Sequence, residues 1–227
     1  MRYEIVGSVL PSVDVYLQAG ESVYTERGGM AWMRGDVQME TNARGGLMAG
    51  LGRKLAGESI FMTTYTCRSG EAMVTFTPEA PGRIMAFNLQ AGQSLICQKD
   101  AFMLAQTTAN IEMHFRKNLG SGLFGGEGFV LQKVSGPGMV FLEIAGDVRD
   151  YVLQPGEVMR IDPGHIAFYE TGMAYDIASV GSLKNALFSG EGLFLATITG
   201  PGHVWLQSMP VSNLAEAIKK YIPTKSS

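Results

Sequence analysis

Short apolar runs alternate with clusters of glycine, proline and polar residues along most of the chain. This alternation is typical of β-strands joined by tight turns. It predicts two β-hairpins, each made of two apolar runs around a polar turn: 94–97 and 101–104 around Lys99–Asp100, and 158–161 and 166–169 around 162–164. We therefore expect an all-β protein.

One short motif is written three times. The sequence LQAGES begins at Leu17, LQAGQS begins at Leu89, and LQPGEV begins at Leu153. A second motif, Gly-Glu-Gly and Gly-Pro-Gly separated by seven residues, lies in the stretches that begin at Phe124 and Phe188, with a looser copy upstream. In their last two copies both motifs keep an offset of 64 residues. Such repetition predicts repeated structural units.

The repeats define the expected domain organisation. We predict a single all-β domain over residues 1–211, made of three internal repeats at about 1–75, 76–140 and 141–211. Regular strands with Gly/Pro turns favour a sandwich, a jelly roll or a stack of β-helix turns for each unit.

One helix is predicted at the end of the chain, over residues 212–222. Leu214, Ile218 and Tyr221 recur on one face at helical spacing. Ser212 or Asn213 can cap its start, and a tail of 223–227 follows. We expect this helix to pack on a sheet edge, and docking to a membrane surface or a partner is the alternative.

Composition and charge exclude several classes of protein. The chain has 227 residues, a charged fraction of 17%, a net charge of −3 and a pI of about 5.7. Nucleic-acid binding rests on basic side chains that neutralise phosphates, so this balance makes a general affinity for nucleic acid unlikely. Cys67 and Cys97 fit no metal-ligand spacing and predict no disulfide framework. With no leader or transmembrane run expected, the cytoplasm is the predicted compartment.

The stretch GLGRKLAGESIFMTTYT from Gly50, the run LQAGQSLICQKDAFMLA, the Gly-Glu-Gly turns and GPGHVWLQ resemble one family, that of altered inheritance of mitochondria protein twenty-four. The resemblance extends from about Tyr3 to Met209. It implies three short double-stranded β-helix units of jelly-roll type, similar in fold to the tryptophan RNA-binding attenuation protein. It also implies that three chains close into a ring, a homotrimer of the protein with itself.

No catalytic or metal-binding constellation is evident. The histidines are His114, His165 and His203, and only the segment DPGHIAFYE, with His165 and Glu170, approaches a cupin-like metal site. A cupin site needs more ligands than these two. We therefore predict no metal, no cofactor and no enzymatic activity.

Two sets of residues are candidates for binding or for turn formation. Basic side chains beside apolar, glycine-rich segments could contact a protein partner or an anionic membrane surface: Arg44, Arg53, Lys54, Arg116, Lys117 and Lys184. Three acidic residues occupy the same place in each repeat, and we interpret them as turn residues: Glu58, Glu127 and Glu191.

Repetition without catalytic residues favours a non-enzymatic, ring-forming scaffold or binding protein. The alternative is a small-molecule binder that uses clefts between the β-units, which a co-purifying ligand would reveal. A cupin-like metal enzyme and an RNA binder rank lower, because a threefold pattern of basic and aromatic residues is missing.

Overall fold

The computed structural model describes residues 1–26, 28–43, 61–117, 128–179 and 194–222. Within these ranges the chain is mostly β-strand, as predicted, with one α-helix near the end. In chain order the elements are β1 (Arg2–Val6), β2 (Ser12–Gln18), β3 (Ser22–Thr25), β4 (Met30–Ala43), β5 (Phe61–Phe76), β6 (Gly82–Leu89), β7 (Ser94–Gln98), β8 (Phe102–Gln106), β9 (Asn110–Lys117), β10 (Phe129–Ser135), β11 (Gly138–Ala145), β12 (Val148–Leu153), β13 (Val158–Ile161), β14 (Ile166–Glu170), β15 (Ala174–Ser179), β16 (Phe194–Thr199), β17 (Gly202–Gln207) and α1 (Val211–Lys219).

The chain forms two compact units that divide the middle of the sequence between them. The first unit takes residues 1–93, 102–110 and 135–143, and the second takes 94–101, 111–134 and the rest from 144 onward. Segments far apart in sequence therefore meet inside each unit.

The first unit is built on one eight-stranded sheet. Its strands follow the order β1-β2-β5-β3-β8-β11-β6, and β4 runs along the opposite side of β5. Alternate residues of each strand point to one face, so Val13, Val15 and Leu17 of β2 are fully buried beside Val74 and Phe76 of β5. This apolar face forms the core of the unit.

The second unit has two sheets that enclose one core. A six-stranded sheet has the order β12-β17-β14-β7-β10-β9, and a three-stranded sheet has the order β13-β16-β15. Ile96 and Val204 from the larger sheet share a buried cluster with Ile161, Ile177 and Ile198 from the smaller one. The second unit is thus a β-sandwich.

The two hairpins predicted from the apolar runs do not form. β7 pairs with β14 and β10 rather than with β8, and β13 pairs with β16 rather than with β14. The polar segments between them are single 3₁₀ turns, Lys99–Ala101 and Pro163–His165. Each turn redirects the chain into a different sheet, so the two apolar runs on either side of it are not neighbours.

The helix is present, but its details differ from the prediction. It begins at Val211 and ends at Lys219, after Pro210 at the N-cap, and no side chain caps its start. None of its residues is buried, and Ile218 is half exposed, so the expected packing on a sheet edge does not occur. Among the described residues no helix is both long and apolar enough to span a bilayer.

Candidate assembly site

Each Leu-Gln-x-Gly motif folds as a type II β-turn. The N–H of the residue after the glycine donates to the carbonyl of the glutamine, at 2.9 Å in the first motif and at 3.0 Å in the other two. The glycine has a φ of +87° at Gly20, +84° at Gly92 and +77° at Gly156. A type II turn requires a positive φ at its third position, which glycine adopts without strain, and it favours proline at the second, where Pro155 stands. The motif is therefore conserved within the chain for its turn geometry.

The fifth residue of each motif locks the turn from its side chain. A carboxylate or amide oxygen accepts from the backbone N–H of the motif's glutamine in each copy: Glu21 Oε2 at 2.9 Å, Gln93 Oε1 at 2.7 Å and Glu157 Oε2 at 2.8 Å. In the first motif this bond comes first among the causes that hold the pKa of Glu21 below its usual range, followed by a 2.7 Å contact with the Met1 ammonium.

The second repeated motif closes onto the first. Gly136 N donates to the Gln93 carbonyl at 3.0 Å, and Gly200 N donates to the Glu157 carbonyl at 3.0 Å. In the first unit Cys67 of β5 donates in the same way to Glu21, at 3.1 Å. A Cβ on Gly136 would lie 2.5 Å from a carbonyl oxygen of the facing turn, so only glycine allows this approach. We call each such pair of turns a clasp.

The ladders between consecutive strands also repeat in register. In the first unit β3 pairs with β8, with Val23 opposite Gln106 and Tyr24 opposite Ala105. In the second unit β7 pairs with β14 at positions shifted by 72 and 64 residues: Leu95 opposite Glu170, Ile96 opposite Tyr169 and Cys97 opposite Phe168. One antiparallel pairing thus occurs twice, once in each unit.

A third set of equivalent strands lacks this partner. Residues 30–34 of β4 pair with β5 as β8 pairs with β11 and as β14 pairs with β17, and the three ladders share a one-residue bulge: Met30/Trp32, Phe102/Leu104 and Ile166/Phe168. However, β8 and β14 each have a second neighbour, whereas 30–34 has none among the described strands. We call residues 30–34 the β4 edge.

A matching open side is found on β13. The equivalent strands β3 and β7 have neighbours on both sides, but β13 pairs only with β16 in the described part of the chain. We call residues 158–161 the β13 edge. The two open edges expose large apolar side chains, with Trp32 53%, Met33 42% and Val158 49% exposed. Tryptophan is seldom so exposed unless something binds to it.

Most of the predicted basic and acidic site residues lie outside the described residues: Arg44, Arg53, Lys54 and Lys184, and also Glu58, Glu127 and Glu191. Arg116 and Lys117 end strand β9. The ammonium group of Lys117 donates to the carbonyl of Ile177 on β15, so it links the two sheets of the second unit.

The histidines have separate environments. His165 Nδ1 lies 2.7 Å from the Gln207 carbonyl, and His114 is on the exposed side of β9. His203 Nε2 lies 2.8 Å from Asp150 Oδ2, and its ring stacks on Trp205 with centroids 3.8 Å apart. Glu170 Oε2 accepts from the backbone N–H of His203 at 3.0 Å and makes no contact with His165 that would resemble a cupin. Within the described ranges, no group of three or more His, Cys, Asp or Glu side chains could hold a metal ion.

An aromatic cluster occupies the core of the second unit. Tyr175 stacks on Tyr169 with centroids 5.9 Å apart and meets Phe115 edge-on at 5.3 Å. The hydroxyls of both tyrosines are buried without a hydrogen-bond partner. Loss of solvent, and then the proximity of the other phenol in the case of Tyr175, raises the pKa of each well above its ordinary value.

Sequence analysis missed the open edges, although a signal for them exists. The segments MAWMR of β4, FMLAQ of β8 and IAFYE of β14 are equally apolar, and strands of that composition are usually covered on both faces. β8 and β14 are almost fully buried, but the β4 edge is exposed. Aligning the first repeat at an offset of 72 residues would have marked the β4 edge as a strand that lacks its cover.

Comparison with known proteins agrees with this architecture. The sequence profile of the family described as mitochondrial biogenesis AIM24 matches residues 3–209. An uncharacterized protein of Streptococcus pyogenes serotype M6 is 30% identical over 235 aligned positions, which cover 100% of this chain and 93% of that protein. A crystal structure of another Streptococcus pyogenes protein superposes with a TM-score of 0.80 at 27% identity, over 97% of this chain and 99% of the other.

Proposed function

The chain belongs to the mitochondrial biogenesis AIM24 family, and we propose that it is a non-enzymatic, ring-forming scaffold or binding protein built from three tandem β-units. Each unit would be a short double-stranded β-helix of jelly-roll type. The recurrence of the clasp in all three motifs and the equal offsets of the strand ladders support this organisation.

The contrast between inner and terminal strands carries the proposal. Strands of the same composition are buried where a neighbour pairs with them, as in β8, and exposed at the β4 edge. An exposed apolar strand edge is a template for pairing with another chain and is normally blunted by charge, proline or a covering segment. The chain therefore favours copies of itself as partners.

Closure into a ring follows from the inequality of the two open edges. A contact between two different surfaces of identical chains is head-to-tail, and it gives either a closed ring or an open filament. The family resemblance favours three copies, a homotrimer. The charged fraction of 17%, against about 25% in an average protein, fits a chain that hides part of its surface between subunits.

Native mass spectrometry of the purified full chain at near-physiological salt tests the proposal. We expect a single species of three copies without added mass. A monomer at micromolar concentration would overturn the scaffold. A trimer with a defined extra mass would instead favour the small-molecule binder, and the extra mass would identify the class of ligand.

We also propose a cytoplasmic location, since both cysteines are free and buried. The proposed outside partner is an anionic membrane surface or a protein that contacts the basic segment with Arg53 and Lys54. Sedimentation with vesicles of anionic phospholipid tests the membrane contact. Equal binding by the wild type and by the R53E/K54E variant would remove these residues from the contact.

A further inference from the structure

Inside the chain, one kind of interface is used twice. β3 pairs antiparallel with β8, and β7 pairs antiparallel with β14, in registers that coincide once the offsets of 72 and 64 residues are applied. Each pairing joins the short strand after a Leu-Gln-x-Gly turn to the bulged strand that follows the next such turn. The same rule applied once more starts from β13, and no bulged strand follows it in this chain.

We propose that the β13 edge of one copy pairs antiparallel with the β4 edge of a second copy, and that this pairing is the subunit contact of the proposed scaffold. The repeated offsets fix the register. Met159 lies opposite Arg34 of the second copy, Arg160 opposite Met33, and Ile161 opposite Trp32. The inference rests on the proposed function, since it names the surfaces through which the copies meet.

The second copy is the occupant because the new ladder continues an interface that exists within the chain. The β13 edge is the equivalent of β7, and the β4 edge is the equivalent of β14, so the two edges already have the shapes that pair elsewhere. A one-residue slip would send every side chain to the opposite face, so the register is strongly specified.

The side chains of the two edges have the composition of a subunit interface. Tryptophan, methionine and arginine are enriched at the centres of such interfaces, and Trp32, Met33, Arg34, Met159 and Arg160 make up most of the proposed ladder. Large exposed aromatic side chains are also the residues that most often dominate binding energy. Covering Trp32 would give it the burial of Leu104 and Phe168, the residues at its place in the equivalent strands, which are 0% exposed.

Cysteine cross-linking tests the register. Opposite residues of an antiparallel ladder have Cα atoms about 4.5–5.5 Å apart, which lies within the range that a disulfide spans. Met33→Cys and Arg160→Cys replace two exposed side chains, and the native Cys67 and Cys97 are buried. The two single variants, purified separately and mixed, are expected to form a disulfide-linked dimer under mild oxidation. Only a contact between different chains can give that product.

The matched control shifts the register by one residue. Arg34→Cys mixed with Arg160→Cys would place the two thiols on opposite faces of the ladder, so we expect at least a tenfold lower yield of the cross-linked dimer, an order-of-magnitude figure based on the geometry that a disulfide demands. The M33C/R160C double variant is expected to give one covalent species with the copy number of the wild type, since each chain is linked at both edges.

The outcomes separate this inference from the proposed function. Oligomers that persist in native mass spectrometry without the Met33–Arg160 cross-link, or with a stronger Arg34–Arg160 cross-link, would overturn the proposed pairing and leave the scaffold standing. A ladder of ever larger covalent species from the double variant would keep the pairing and overturn ring closure. A wild type that is monomeric would overturn both.

Discussion

Replacing Gly200 by alanine should disrupt the clasp of the second unit. A Cβ at this position would lie 2.4 Å from the carbonyl oxygen of Gln154 and 2.8 Å from that of Leu153. Both oxygens belong to the backbone of the facing turn, so no side-chain rotation relieves the overlap. The two turns must move apart by at least 0.6 Å to restore a separation of 3.0 Å, below which Cβ contacts are essentially never seen.

The size of the effect follows from what that movement breaks. The hydrogen bond from Gly200 N to the Glu157 carbonyl is 3.0 Å long, and its loss would cost about 0.5–1.5 kcal/mol. Overpacking a closely fitted site adds about 1–3 kcal/mol. The expected loss of unfolding free energy is about 3 kcal/mol, which lowers the Tm of a chain of this size by roughly 6–12 °C.

Thermal and urea unfolding followed by circular dichroism measure this loss. Gly164→Ala is the matched control, because its new Cβ would meet the nearest atoms at an ordinary 3.5 Å in the same unit. We expect this control to change the unfolding free energy by no more than about 0.5 kcal/mol. The clasp would lose its proposed structural role if Gly200→Ala unfolded within a degree of the wild type, or if both variants lost the same stability.

Two further predictions concern single polar groups. The pKa of Glu21 is lowered in the fold mainly by the N–H of Gln18, so its contribution is present above the unfolded pKa and is lost as pH falls through the folded pKa. Wild-type unfolding free energy should therefore fall more between pH 6 and pH 3 than that of Glu21→Gln, which keeps the acceptor; equal slopes would contradict this. Tyr169→Phe removes a buried hydroxyl without a partner and should be neutral or stabilising, by up to about 1 kcal/mol in urea unfolding. Tyr24→Phe, whose hydroxyl donates to the Ala109 carbonyl at 3.2 Å, should cost about 1 kcal/mol, and an equal loss in both variants would mean that Tyr169 also has a partner.

Local turn chemistry was predictable from the sequence, but strand pairing was not. Proline followed by glycine in LQPGEV specifies a type II turn, because both residues have the backbone angles that this turn requires. By contrast, the runs on either side of Lys99–Asp100 carry no information about their partners. β7 pairs with β14, about seventy residues away, and such contacts depend on the whole fold. The predicted hairpins failed for this reason.

Side-chain constellations assembled by long-range pairing were equally invisible. His203 meets Asp150 and Trp205 because β12 and β17 are neighbours in one sheet, although 53 residues separate His203 from Asp150. The open edges were hidden for a related reason. Their apolar composition predicts that something covers them, but composition alone does not distinguish a neighbour in the same chain from a second copy.

The ends of a repeat array are where assembly is decided. Proteins built from stacked repeats normally protect their terminal units with polar caps, since the last interface would otherwise stay uncovered. In this chain the two edges at issue carry Trp32, Met33 and Val158 instead of such caps, and all three are exposed. Because the exposed edges differ, each can satisfy the other only between chains, and pairing that closes on itself leaves no edge uncovered. A closed ring would therefore replace the missing caps, which a linear dimer or a free monomer could not do.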